Sequence, residues 1–146
     1  MIPLKLKLKN FLCYGDDVQT LDFQGIKLAC LCGQNGHGKT AILEAITWCI
    51  WGEGRANTLQ EYVRIGQEST WVELEFECRG ETYIISRTFT KSRSSASDLE
   101  FRVVGDGFLT PITANKKRQT QKEIDGVLNM EYETFINTSY LKQGKA

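Results

Sequence analysis

The chain has 146 residues, 41% hydrophobic and 25% charged, within the range of an ordinary globular protein and enough for one domain or at most two. Its 18 Lys and Arg balance its 18 Asp and Glu. This composition excludes disordered and collagen-like classes, and no apolar run nears the ~18 residues of a membrane span, so no transmembrane helix or membrane partner is expected.

Residues 3–9 alternate Leu with Lys, which predicts a strand with Leu4, Leu6 and Leu8 on one face. This N-terminus lacks the unbroken apolar stretch of a signal peptide, so a cytoplasmic address is expected. Gly15-Asp16-Asp17 reads as a turn, 18–23 as a second strand and Gln24-Gly25 as another turn. Residues 26–32 are apolar except for Lys27 and predict a strand buried on both faces. Gly33 to Thr40 is a glycine-rich loop. Residues 40–51 carry one charge, Glu44, and predict a buried helix stopped by Gly52. Residues 53–69 read as an irregular connection with one short helix near 59–63.

The period then returns to two. Residues 71–78 place Val72, Leu74, Phe76 and Cys78 on one face and Glu73, Glu75 and Glu77 on the other. Arg79-Gly80 turns the chain into a strand over 83–89. Residues 91–98 read as a mobile polar loop, and 99–104 as a further strand, so an antiparallel meander is predicted over 70–104. Helices follow over 116–128 and 132–137, then a strand toward Lys142. The five cysteines, Cys13, Cys30, Cys32, Cys49 and Cys78, sit mostly in apolar segments and are expected to be reduced and buried. There is no Cys-x-x-Cys pair or histidine cluster to predict a zinc site.

The chemistry lies in Gly33-Gln34-Asn35-Gly36-His37-Gly38-Lys39-Thr40, which matches G-x-x-x-x-G-K-[ST]. Glycines let consecutive backbone N–H groups turn toward phosphate oxygens. Lys39 places a cation on the β- and γ-phosphates, the Thr40 hydroxyl is a Mg²⁺ ligand, and the following helix offers its positive end. His37 reads as an exposed loop residue whose backbone matters. A second acidic strand end for Mg²⁺, with a Glu beside it as base, is not present. The chain therefore reads as part of a longer protein. Residues 86–122 hold 8 basic and 3 acidic side chains, either a solvated surface or one that faces a polyanion.

Four segments, LKLKNFLCYGDD, LACLCGQNGHGKTAILEAITWCIWGEGRA, VRIGQESTWVELEFECRGETYIISRTF and YETFINTSYLKQGKA, resemble in order the N-terminal ATPase segment of SbcC-type, SMC-like DNA double-strand-break repair ATPases. The resemblance spans essentially the whole chain. It implies an α/β P-loop NTPase fold, an ABC-type ATPase lobe with a mixed sheet around a buried helix plus an antiparallel sheet. Residues 1–146 would be the N-terminal part of a split head, with a glutamine loop near Gln143.

On that resemblance Asn35, Gly36, His37, Gly38, Lys39, Thr40 and Ala41 would bind ATP, with Val63, Arg64 and Ile65 passing near the base. Gln143 would reach Mg²⁺ and the attacking water, so Lys39 and Gln143 are the candidate catalytic residues. Leu12 stands where many relatives carry an Arg that contacts the nucleotide; Arg55 is the nearby cation. Lys116, Lys117, Arg118 and Lys122 are candidate contacts to the DNA backbone. ATP and Mg²⁺ are the implied cofactors. The implied partners are the C-terminal half of the head, a second head joined on ATP, a nuclease subunit and double-stranded DNA, in a cytoplasmic, nucleoid-associated setting. A nuclease-free SMC-type chromosome-structuring ATPase is the alternative. A small-molecule P-loop kinase would place substrate-binding helices where the meander stands. This segment alone is expected to be inactive.

Overall fold

A computed structural model describes residues 1–36, 38–91, 96–105 and 107–138. Strands β1 (Ile2–Lys9), β2 (Gln19–Asp22), β3 (Ser69–Cys78), β4 (Glu81–Thr90), β5 (Ala96–Val104) and β6 (Leu109–Pro111) form one sheet in the order β2-β1-β3-β4-β5-β6. Every pairing is antiparallel. The helices are α1 (Lys39–Trp51), α2 (Lys117–Leu128) and α3 (Tyr132–Thr138), with a 3-10 turn at Leu59–Tyr62.

The period-two pattern sets the register. Leu6 faces Leu74, and Leu8 faces Val72, so the apolar residues share one side of the sheet. On the other side Lys7 lies opposite Glu73, and Glu73 takes an ion pair from Lys7 at 3.1 Å and from Arg102 at 3.1 Å. A one-residue slip would bury this charge ladder, so the alternation specifies the pairing. Helix α1 covers the apolar side, with Ala45, Trp48, Cys49 and Ile50 fully buried against Leu74, Phe76, Ile85 and Phe101.

The α1 helix has the expected extent, and Gly52 ends it in the left-handed region at φ 75°, donating its N–H to Trp48 O at 2.7 Å. The meander is present as β3, β4 and β5. It is wider than its alternation announced: residues 96–98, read from sequence as loop, belong to β5, and β6 is an added strand. Residues 92–95 lie outside the described residues, as does the expected strand toward Lys142.

Three expectations are corrected. Residues 26–32 form no strand, and Leu28 is 93% exposed. A strand buried on both faces needs neighbours on both edges and layers on both sides. Here the sheet is already bounded by β2, and the chain leaves it after Phe23. The fold is α/β as expected, but among the described residues the sheet is wholly antiparallel, so the mixed part is not formed. The cysteines are also divided. All five are free; Cys49 and Cys78 are buried, whereas Cys13, Cys30 and Cys32 are exposed. Burial pushes the Cys49 thiol up to about 12, so it stays protonated.

Candidate phosphate-binding site

The glycine-rich loop enters α1 directly. Gly38 is the residue before the helix, in the left-handed region at φ 83°, and no side chain caps the first turn. The opening N–H groups of α1 are therefore free of side-chain acceptors, and no acidic residue stands in that turn. Such a helix end is suited to a phosphate oxygen.

Lys39 folds back over the loop. Its ammonium donates to Gly33 O at 2.6 Å and to Gln34 O at 2.7 Å. These contacts close the loop into a ring with the cation at its mouth. Among the described residues Lys39 makes no ion pair, so no carboxylate competes with an incoming phosphate. Thr40 and Ala41 follow in the first turn of α1. Ala41 is 7% exposed, so only its backbone could face a ligand. Asn35 and Gly36 form the exposed turn before Gly38, and His37 lies outside the described residues.

A second segment, residues 10–15, clasps the loop. The Tyr14 hydroxyl donates to Gly38 O at 3.2 Å. A Cβ on Gly38 would stand 2.7 Å from Cys13 Sγ and 3.0 Å from the Tyr14 hydroxyl, so contact and backbone angle both demand glycine. Desolvation, with Cys13 beside it, raises the Tyr14 pKa above its usual value. The clasp is anchored by an aromatic cluster. Phe11 lies 5.5 Å from Trp48 and 5.4 Å from Tyr62, and Trp48 lies 5.6 Å from Tyr62. Trp48 is on α1 and Tyr62 ends the 3-10 turn, so three distant parts of the chain hold this edge of the site.

The structure separates the three residues expected near a nucleotide base. Arg64 lies on the clasp, where its N–H donates to Asn10 O at 2.9 Å and Nη1 donates to Cys13 O. Val63 is buried at 4% exposure and bridges to Phe11, so it serves packing. Ile65 is 97% exposed. Arg55 does not serve as a spare cation near the loop. Glu44 is buried, and its carboxylate takes the Arg55 Nε at 2.8 Å and the Arg55 backbone N–H at 2.8 Å. The one charge in the predicted helix is thus a lock on the 53–56 turn, a role that the sequence did not announce. Leu12 packs against the core beside Tyr62, to whose carbonyl it donates at 2.8 Å. Gln143 lies outside the described residues.

Lys116, Lys117, Arg118 and Lys122 come together at the start of α2, all exposed. No acid stands in that first turn, and no side chain caps it. Cations at a helix N-terminus oppose the helix dipole, a cost of a few tenths of a kcal/mol each that a bound anion would remove.

Known proteins resemble this chain in sequence and in fold. Residues 5–146 match the AAA domain family. A nuclease SbcCD subunit of Deinococcus radiodurans is 29% identical over 148 residues, covering 99% of this chain and 16% of that protein. The DNA double-strand break repair Rad50 ATPase of Thermoplasma acidophilum is 30% identical over 145 residues, covering 99% of this chain and 16% of that protein. The chain thus spans about a sixth of the length of these relatives. A structure solved for the structural biochemistry of ATP-driven dimerization and DNA-stimulated activation of SMC ATPases superposes with a TM-score of 0.74 at 20% identity, covering 99% of this chain and 88% of that one. The SMC head domain from Thermotoga maritima gives a TM-score of 0.51 at 23% identity, covering 86% of this chain and 41% of that one. These solved structures show the fold, that of an SMC head domain.

Proposed function

This chain belongs to the AAA domain family, and from that premise we propose that it is the N-terminal part of a split ATP-binding and hydrolysing head that dimerises on ATP, binds DNA and works with a nuclease in double-strand-break repair. The observation that carries the reading is the phosphate loop: an uncapped helix N-terminus, a loop-closing ammonium and no competing carboxylate among the described residues. Asn35 to Ala41 would cradle the triphosphate, and Arg64 on the clasp would stand beside the base. Mg²⁺, when bound, would neutralise phosphate charge beside the Thr40 hydroxyl and Gln143. Arg87, Lys117 and the rest of the basic end of α2 lie well away from the loop, by the far end of α1.

The exposed apolar segment 26–32 supports the split. With Phe23, Ile42, Leu43 and Ile46 it lines a groove of about 360 Å³, an apolar surface suited to the C-terminal half of the head. The second head, the nuclease and a cytoplasmic, nucleoid-associated setting belong to the same reading. Among the described residues no helix is long and apolar enough to cross a membrane. The SMC-head fold keeps a second reading open, a chromosome-structuring ATPase without a nuclease. A zinc-hook Cys-x-x-Cys between the two halves favours repair, and a globular hinge there favours chromosome structure.

Two measurements test this function. Lys39→Ala in the complete head should weaken ATP binding by about 2–4 kcal/mol, the scale of losing one partner of a charge-assisted contact. Equal affinities of variant and parent by calorimetry would sink the nucleotide assignment. Replacing Lys116, Lys117, Arg118 and Lys122 together with Gln should weaken duplex binding by the ATP-bound head. The slope of log affinity against log salt should become shallower by roughly 0.9 per lost phosphate contact. An unchanged slope means a solvated surface only.

A further inference from the structure

Where the C-terminus of α1 meets the N-terminus of α2, a cavity of about 470 Å³ opens, lined by Trp48, Gly52, Arg87, Ser97, Lys117 and Arg118 among others. Three cations from two elements converge on it. Arg87 reaches it from β4 and is only 2% exposed. Its Nε and Nη2 are committed to Cys49 O, Ile50 O and Gln121 Oε1 at 2.8–3.1 Å. Its Nη1 donates to no acceptor among the described residues. It lies 2.9 Å from where a Cβ on Gly52 would stand, beside the cavity wall. Trp48 lines the same cavity, fully buried, with an indole N–H that has no partner among the described residues.

Lys117 donates one proton to Ser97 Oγ at 2.7 Å and keeps the rest of its ammonium for other acceptors. Partial desolvation first, and the Arg87 charge second, lower its pKa, while Asp98 acts the other way. The carboxylates that face the cluster are Asp98 on β5 and Asp125 on α2. Neither forms an ion pair with Arg87, Lys117 or Arg118, and Asp125 accepts from Gln121 at 3.0 Å. The site is therefore a recess with excess positive charge and unused donors on its wall.

We infer that this recess receives the terminal phosphate monoester of a DNA strand end. The inference rests on the DNA-binding reading above and narrows it. An internal phosphodiester carries one charge and continues in both directions, so it can approach Lys116 and Lys122 on the surface but cannot enter beside a side chain as buried as Arg87. A terminal monoester projects from the strand, carries close to two charges at neutral pH, and presents three acceptor oxygens. Those oxygens match Arg87 Nη1, the Lys117 ammonium and the Arg118 guanidinium.

The test is DNA binding by the full-length protein, with short duplexes that differ only in end chemistry: 5′-hydroxyl, 5′-phosphate or 3′-phosphate. One phosphorylated end should bind about tenfold more tightly than the hydroxyl end, the scale of added charge-assisted hydrogen bonds. Excess inorganic phosphate at constant ionic strength should erase that preference. Lys117→Gln with Arg118→Gln should bring the ratio to within about twofold. Lys122→Gln, outside the cavity, should weaken all three duplexes alike. Equal affinity for hydroxyl and phosphorylated ends in the parent protein overturns the inference, as does a preference that survives the double variant. Failure to bind any of the duplexes overturns the DNA reading itself, and the inference with it.

Discussion

Residues 1–146 alone are expected to show no ATP turnover above background at saturating Mg-ATP. Hydrolysis needs a water held in line and deprotonated, as well as neutralised phosphate charge. On the proposed reading, Lys39 and the free end of α1 would meet the second requirement. No carboxylate among the described residues pairs with Lys39 or stands in the first turn of α1. Glu44, the carboxylate of α1, is buried and held by Arg55, and Asp16, just after the clasp, is engaged by Asn10 and Lys9. Losing positioning and acid–base chemistry together should cost several orders of magnitude. Turnover should return when the C-terminal half is co-expressed. Gln143→Ala should then lower that turnover more than it lowers ATP affinity. Robust hydrolysis by the isolated segment, abolished by Lys39→Ala, would show that the chain holds a base of its own and that the split head is wrong.

Arg87→Ala should be the most destabilising single truncation of a charged residue in this chain. The guanidinium lies beneath the end of α1 and takes its last turn in hand, with Cys49 O at 3.0 Å and Ile50 O at 3.1 Å. It also joins Gln121 on α2 at 2.8 Å, and Gln121 returns a bond to Ile50 O at 3.0 Å. Removing it leaves the buried Cys49 carbonyl without that donor, leaves Ile50 O with Gln121 alone, and opens a void beneath Gly52. Each unsatisfied buried group costs about 1–3 kcal/mol, so a loss of about 3 kcal/mol or more is expected. Burial lowers the Arg87 pKa to about 10, which still leaves it charged at neutral pH. Arg118→Gln, on the exposed side of the same cavity, should change stability by less than about 0.5 kcal/mol. Denaturant unfolding of both variants checks the contrast; equal midpoints would mean that the carbonyls find other donors and that Arg87 is not the clamp.

The candidate phosphate loop was legible from residues alone, because G-x-x-x-x-G-K-T encodes a local conformation and a local charge. The alternation of 3–9 and 71–78 likewise announced two strands and the face each would bury, since a period of two leaves no other solution with Lys and Glu outward. The helix over 39–51, its glycine stop and the basic start of α2 follow from equally short-range rules.

Tertiary structure alone decided what depends on distant partners. Residues 26–32 have the composition of a buried strand, yet they stay outside the sheet, because burial on two faces requires neighbours that the described residues do not provide. Glu44 read as one charge in an apolar helix, and only the return of the chain at Arg55 made it an internal ion pair. Arg87 sits on the inward face of β4, where alternation predicts an apolar side chain; the carbonyls at the end of α1 and the amide of Gln121 gave it a reason to be there. Sequence specifies conformations whose energy is local, whereas a buried charge or a central strand is specified by what the rest of the molecule brings to meet it.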